Sequence, residues 1–261
     1  TLYNIFHEFL KDLSEDVLPN EANGFKESKI WSMLYNFQRD AALAIINKLE
    51  QYNGCVLADS VGLGKTFTAL SVIKYYELRN KDVLVLCPRK LSENWNDYRK
   101  NYKNNPLAAD RLRYEVLFHT DLGRAKGMSN DVDLEKINWG NFDLVVIDES
   151  HNFRNGGSIT LDEDGNPKEN RYLRLMNEVI RKGVQTKVLM LSATPVNNHF
   201  YDLKCQLELA YAGDYRHFNT LLDTESSIND IFRDAQKVYN RWAKLSDEHR
   251  TTEALLSELS F

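Results

Sequence analysis

Ala58-Asp59-Ser60-Val61-Gly62-Leu63-Gly64-Lys65-Thr66 is the stretch on which the reading of this chain turns. An apolar run, Cys55-Val56-Leu57-Ala58, leads into it, and a helical pattern leads out. A strand, a glycine-containing loop and a helix in that order suit the wrapping of a nucleotide's phosphates. Gly62 and Gly64 let backbone N–H groups close on anionic oxygens, with Asp59, Val61 and Leu63 completing the cradle. Lys65 supplies a point charge to the outer phosphates, and the Thr66 hydroxyl is a ligand for Mg²⁺. The following helix turns its positive end to the same place. One position departs from the generic phosphate loop, because Asp59 stands where its first glycine is expected.

Outward from the loop, short and nearly continuous apolar runs predict strands at 54–59, 82–87, 114–119, 142–148 and 188–193. Helical spacing falls between them near 65–79, 91–103 and 171–182, and another helix precedes the loop through Phe37, Ala41, Ala42, Ile45, Ile46 and Leu49. This alternation predicts an α/β domain built on a mainly parallel central sheet with helices on both faces. Flanking helices are expected at each end. Leu2, Ile5, Phe6, Phe9, Leu10 and Leu13 form an N-terminal stripe, and Ile228, Ile231, Phe232, Ala235, Val238, Tyr239 and Trp242 form a C-terminal one. Residues 120–140 and 154–170 are polar and read as surface insertions, the second as a mobile hairpin or loop. Asp162, Asp164 and Gly165 resemble part of a calcium loop, but its twelfth position is Arg171 rather than Glu, which excludes it.

Composition narrows the classes. The 261 residues are 43% hydrophobic and 27% charged, a globular balance. A net charge of −5, from 38 acidic and 33 basic residues, excludes a simple nucleic-acid-coating protein, so any such contact must be a local patch. Three cysteines, Cys55, Cys87 and Cys205, form no metal-ligand spacing and no even-numbered disulfide framework. A reducing, cytoplasmic setting is expected, with no membrane span, and the opening Thr1 points to a piece of a longer chain.

Two further segments carry chemistry. Leu144-Val145-Val146-Ile147-Asp148-Glu149-Ser150-His151 is an apolar strand ending in adjacent carboxylates. Asp148 is placed to hold Mg²⁺ opposite Thr66, and Glu149 to polarise an attacking water, the two tasks phosphoryl transfer requires. Leu191-Ser192-Ala193-Thr194-Pro195 ends another strand with two hydroxyls suited to bonding the carboxylate cluster and sensing the γ-phosphate. Lys65, Asp148 and Glu149 are therefore the candidate catalytic residues, with Ser192 and Thr194 the hydroxyls beside them.

In this order these segments resemble the first RecA-like lobe of superfamily-two helicases, and within it the Swi/Snf-type DNA translocases, over about residues 30–212. Leu34-Tyr35-Asn36-Phe37-Gln38 resembles the family's adenine-reading segment, which implies that Gln38 bonds the adenine edge. The phosphate loop of that family also begins with Asp, as at Asp59. Leu84-Val85-Leu86-Cys87-Pro88-Arg89 followed by Trp95 resembles the segment that meets one DNA strand, with Arg89 the contact and Trp95 in the core. Asp148-Glu149-Ser150-His151, then Phe153-Arg154-Asn155, resembles the Asp-Glu-x-His box, and His151 would link the carboxylates to the coupling segment or to DNA. Ser192-Ala193-Thr194-Pro195 with Asn197-Asn198 resembles the coupling segment, implying nucleic-acid roles for Asn155 and Asn197. Two positions depart from the pattern: Ser150 replaces the more usual Ala, and Ser192-Ala193-Thr194 stands where Swi/Snf proteins commonly carry Thr-Gly-Thr. The resemblance also implies that strand 188–193 lies between strands 54–59 and 142–148.

The resemblance implies three segments: an N-terminal helical extension (1–29), the ATP-binding lobe (30–212) and a helical segment (213–261) leading toward a second lobe. That lobe supplies arginines in the family, so this chain by itself is expected to bind ATP with Mg²⁺ weakly and to hydrolyse it very slowly. Duplex DNA is the expected partner. An RNA helicase lobe, the motor of a restriction or defence complex, and a non-hydrolysing nucleotide- or DNA-binding module are the alternatives.

Overall fold

The computed structural model describes residues 24–59, 62–156, 160–161, 167–168, 170–183, 185–194, 199–214, 226–246 and 249–258. The N-terminal stripe, Val61 and Asn197 lie outside the described residues. The described residues open with α1 (Lys29–Met33) and α2 (Asn36–Tyr52), then β1 (Gly54–Leu57) and α3 (Lys65–Glu77). Next come β2 (Val83–Cys87), α4 (Ser92–Arg99), β3 (Glu115–Phe118), the hairpin β4 (Met128–Ser129) and β5 (Val132–Asp133), and β6 (Leu144–Asp148). The hairpin β7 (Thr160–Leu161) and β8 (Pro167–Lys168) follows. After it come α5 (Arg171–Arg174), which widens into a π-helical stretch (Leu175–Arg181), and β9 (Lys187–Leu191). Three helices finish the described chain: α6 (Phe200–Ala210), α7 (Ile228–Trp242) and α8 (Thr252–Glu258).

The central sheet runs β1-β9-β6-β2-β3, and every neighbouring pair in it is parallel. The strand carrying the coupling segment lies between the phosphate-loop strand and the carboxylate strand, as the resemblance implies. Side chains alternate across the sheet. Val83, Val85, Cys87, Val116, Val146, Leu189 and Leu191 meet α1 to α4 on one face. Leu84, Leu86, Leu117, Val145, Ile147, Val188 and Met190 meet α5, its π continuation and α6 on the other. Both faces are covered, which is why the strands read as unbroken apolar runs.

Helix packing is close where small residues allow it. A Cβ on Gly54 would fall 2.0 Å from the Cβ of Ala210, so β1 and α6 approach to a distance only glycine permits. Asp110 ties a distant loop to the first helix: its carboxylate accepts from the N–H groups of Lys29 (2.7 Å) and Ile30 (2.6 Å). The buried Lys74 ammonium donates to the Asp110 carbonyl at 2.7 Å and pairs with Glu77 at 3.0 Å.

Residues 120–140 differ from the surface insertion expected of them. Asp121, Leu122, Ser129, Leu134 and Trp139 are buried. The wholly buried Asp121 carboxylate organises the segment by accepting from Phe118 N (2.8 Å), Ser129 Oγ (2.5 Å) and Arg124 Nη1 (2.9 Å). Polar composition concealed this because the polar groups satisfy one another inside the fold. Within 154–170 the β7–β8 pair is an antiparallel hairpin. The C-terminal stripe lies on α7, where Ile228 and Val238 are buried. Tyr239 packs edge-on against Phe200 at 5.5 Å.

Candidate nucleotide site

The parallel register sets the site. Leu57 pairs with Leu191, and Leu191 with Asp148, so β1, β9 and β6 end on a common rung. The phosphate loop, the Ser192–Thr194 segment and the Asp148–Glu149 pair therefore leave the sheet side by side, at the carboxyl ends where open parallel sheets bind ligands. Ser192 N donates to Leu57 O at 3.2 Å, tying the coupling segment directly to the root of the loop.

Gly64 caps α3 in a left-handed conformation (φ 79°) that favours glycine. A Cβ there would also meet Gln38 Nε2 at 2.5 Å. Lys65 opens α3, and its ammonium donates to Asp59 O at 2.8 Å, folding the lysine back across its own loop. Gln38 is buried with both ends of its amide engaged. Oε1 accepts from Tyr35 N at 3.0 Å, and Nε2 donates to Leu63 O at 3.1 Å and, more weakly, to Gly64 O at 3.5 Å. It braces the phosphate loop, and donating to an adenine edge would require one of the Nε2 contacts to exchange. Beside it Tyr35 and Phe37 are 72% and 50% exposed, with parallel rings 6.1 Å apart. They line a cleft of about 490 Å³ with Met33 and Leu63. An exposed aromatic pair at the loop is a surface for a flat base, a role sequence reading did not assign to either ring.

At the end of β6 the Asp148 carboxylate accepts from Glu149 N through Oδ1 and from Trp95 Nε1 through Oδ2, each at 3.0 Å. Burial pushes its carboxyl above the usual carboxylate range, opposed by the indole bond and, more weakly, by the Lys65 charge. Glu149 has a left-handed backbone (φ 52°, ψ 51°), an uncommon conformation for a non-glycine residue. The turn is held by Asn152, whose N and Nδ2 donate to Glu149 O at 3.1 and 2.9 Å. His151 Nδ1 lies 3.2 Å from Glu149 Oε2 without the alignment of a hydrogen bond. Ser150, the departure noted in the sequence, is wholly buried and donates to the equally buried Gln206 Oε1 of α6 at 2.8 Å.

Ser192 is wholly buried, and its Oγ accepts from Thr194 N at 3.1 Å, leaving Thr194 on the surface. Arg89 is exposed in the turn after β2, with its guanidinium 5.7 Å from the Phe118 ring. Asn155 is exposed past the carboxylate box. Thr66, on the first turn of α3, and Asp148 offer Mg²⁺ one hydroxyl and one carboxylate. Among the described residues no group of three or more His, Cys, Asp or Glu gathers to cage a metal. An Mg²⁺ site needs no such cluster, because the ion takes most of its ligands from water and substrate phosphates.

Trp95 and Gln206 are the site neighbours that sequence reading missed. Trp95 is buried, as expected of a core residue, but its indole N–H reaches the carboxylate box from 53 positions away. No periodicity or spacing signals such a contact.

The chain is similar to Chromodomain-helicase-DNA-binding protein 1-like of Mus musculus, 26% identical over 195 residues, covering 67% of this chain and 20% of that protein. It is also similar to the uncharacterized ATP-dependent helicase YqhH of Bacillus subtilis, 28% identical over 213 residues, covering 78% of this chain and 35% of that protein. It thus spans from about a fifth to about a third of these relatives' length. Among solved structures, the Sulfolobus solfataricus SWI2/SNF2 ATPase core in complex with dsDNA matches with 16% identity and a TM-score of 0.46, covering 87% of this chain and 56% of that one. Residues 37–249, which hold the whole sheet and all three segments at its carboxyl edge, match the model of the SNF2-related domain, and the chain belongs to that family.

Proposed function

We propose that this chain is the ATP-binding lobe of a DNA-dependent ATPase that couples hydrolysis to movement along duplex DNA. The observation that carries the reading is the shared rung of Leu57, Leu191 and Asp148, which gathers loop, coupling segment and carboxylates at one sheet edge. Family membership and the helicase names of the relatives supply the substrate class.

In this reading Lys65 leaves Asp59 O to meet the outer phosphates, and the N–H groups from Gly62 to Thr66 cradle them. Thr66 and Asp148 hold Mg²⁺, which when bound neutralises charge on the transferring phosphoryl group. Glu149 takes the proton of the attacking water, with His151 beside it. Gln38 and the Tyr35–Phe37 pair receive the base. Ser192, buried against Leu57 O, and the exposed Thr194 carry the state of the site to its rim. There Arg89 and Asn155 contact nucleic acid, a role that the resemblance also implies for Asn197. Residues 30–212 form the lobe, and 213–261 lead toward a second lobe that supplies the arginines for fast turnover.

Glu149→Gln and Lys65→Ala test it by single-turnover hydrolysis and nucleotide binding, each with and without duplex DNA or duplex RNA. Glu149→Gln is expected to keep ATP binding and to lose hydrolysis by about 10²-fold or more. Lys65→Ala is expected to lose binding. Unchanged turnover in Glu149→Gln overturns the assignment of the base, and a preference for RNA overturns the DNA substrate.

A further inference from the structure

We propose that Trp95 is a positioning residue for the Asp148 carboxylate and, through it, for divalent-cation binding at the phosphate site. It rests on the reading of the site as an Mg·ATP pocket. The Trp95 side chain is wholly buried on α4, yet its one polar atom, Nε1, is spent on Asp148 Oδ2 at 3.0 Å. An indole N–H is a donor only and stays neutral. It can therefore hold a carboxylate in one rotamer without cancelling the negative charge a cation needs, as a lysine or arginine would. With Glu149 N on Oδ1, the carboxylate is held from both sides.

The indole is itself fixed. Tyr114, just before β3, packs edge-on against it, with ring centroids 6.3 Å apart and planes at 88°. The Tyr114 hydroxyl donates to Trp95 O at 2.5 Å. A relay of Tyr114, Trp95 and Asp148 thus connects the edge strand of the sheet to the metal-binding end of β6. An indole serving only as core filler would need its ring volume and any carbonyl acceptor. Partners that orient a metal's ligands commonly change metal affinity by 10- to 100-fold when removed.

The test replaces Trp95 in the 261-residue chain with benzothienylalanine, which keeps the bicyclic shape and lacks the N–H, alongside Trp95→Phe. Binding of mant-ATP is measured across a MgCl₂ titration and in EDTA. The expected result is a rise of about 10-fold in half-saturating Mg²⁺ for both variants, with affinity in EDTA unchanged. In the unmodified chain the Trp95 indole N–H is expected to exchange slowly with solvent, and faster in Asp148→Ala. An unaltered Mg²⁺ titration in the benzothienyl variant overturns the proposal, as does an equal loss with and without Mg²⁺. If the unmodified chain binds mant-ATP identically in Mg²⁺ and EDTA, the Mg·ATP reading itself fails and this proposal fails with it.

Discussion

His119 shows what burial does to a single ionisable side chain beside the site. It is 4% exposed, with Nε2 3.3 Å from Leu86 O and its ring edge-on to Phe153 at 5.0 Å. Burial lowers its pKa from the ordinary 6.5 to about 4. Between those values the unfolded chain binds a proton that the folded chain refuses, so stability falls as pH drops through the window and is intact above pH 6.5. The full effect below pH 4 is about 3 kcal/mol. Urea denaturation from pH 7 to 4 is expected to show a shallower loss for His119→Asn, which keeps a polar side chain without titrating. An equal slope in the two proteins removes His119 as the cause.

At the scale of elements, the Ser150–Gln206 bond joins the turn after β6 to α6. Both side chains are wholly buried, and Gln206 Nε2 also donates to Asp202 O at 3.1 Å. Ser150→Ala would leave the Gln206 carbonyl without its donor, at a cost of about 1–3 kcal/mol. Replacing both, as Ser150→Ala with Gln206→Leu, is expected to recover part of that loss, because the hydroxyl and the carbonyl that it satisfies are removed together. Equilibrium denaturation of the two single variants and the double variant measures the coupling, and strictly additive losses would show that the contact is worth nothing. Element order and type were legible in the sequence: apolar runs at 82–87 and 142–148 became β2 and β6, and the spacing from Lys65 became α3. The buried character of 120–140 was not, because Asp121 and Ser129 look like surface residues until their partners are known.

For the whole molecule, ligand linkage is the relevant quantity. A ligand that binds only the folded chain at 100 times its Kd adds about 2.7 kcal/mol of stability. For a chain of this size that is roughly 5–10 °C in melting temperature. Mg·ATP is expected to raise the midpoint by that order in the unaltered chain and to leave Lys65→Ala unmoved. A rise of the same size in both would place the nucleotide away from Lys65. No helix among the described residues is long and apolar enough to cross a membrane.

By itself the sequence determined the α/β class, the phosphate loop and the two strand-end motifs. Glycine and hydroxyl chemistry and the periodicity of apolar residues are local properties, written in consecutive letters. Even Asp59, in a place where glycine was expected, was readable as a family feature. Which distant side chains complete the loop's surroundings was decided only by tertiary structure. Gln38 braces Gly64, Trp95 holds Asp148, and Gln206 satisfies Ser150. Each pair is separated by 26 to 56 positions, and its members meet because the parallel register aligns strand ends and the helices pack over them. A contact of that kind has no period and no fixed spacing, so nothing in the order of residues announces it.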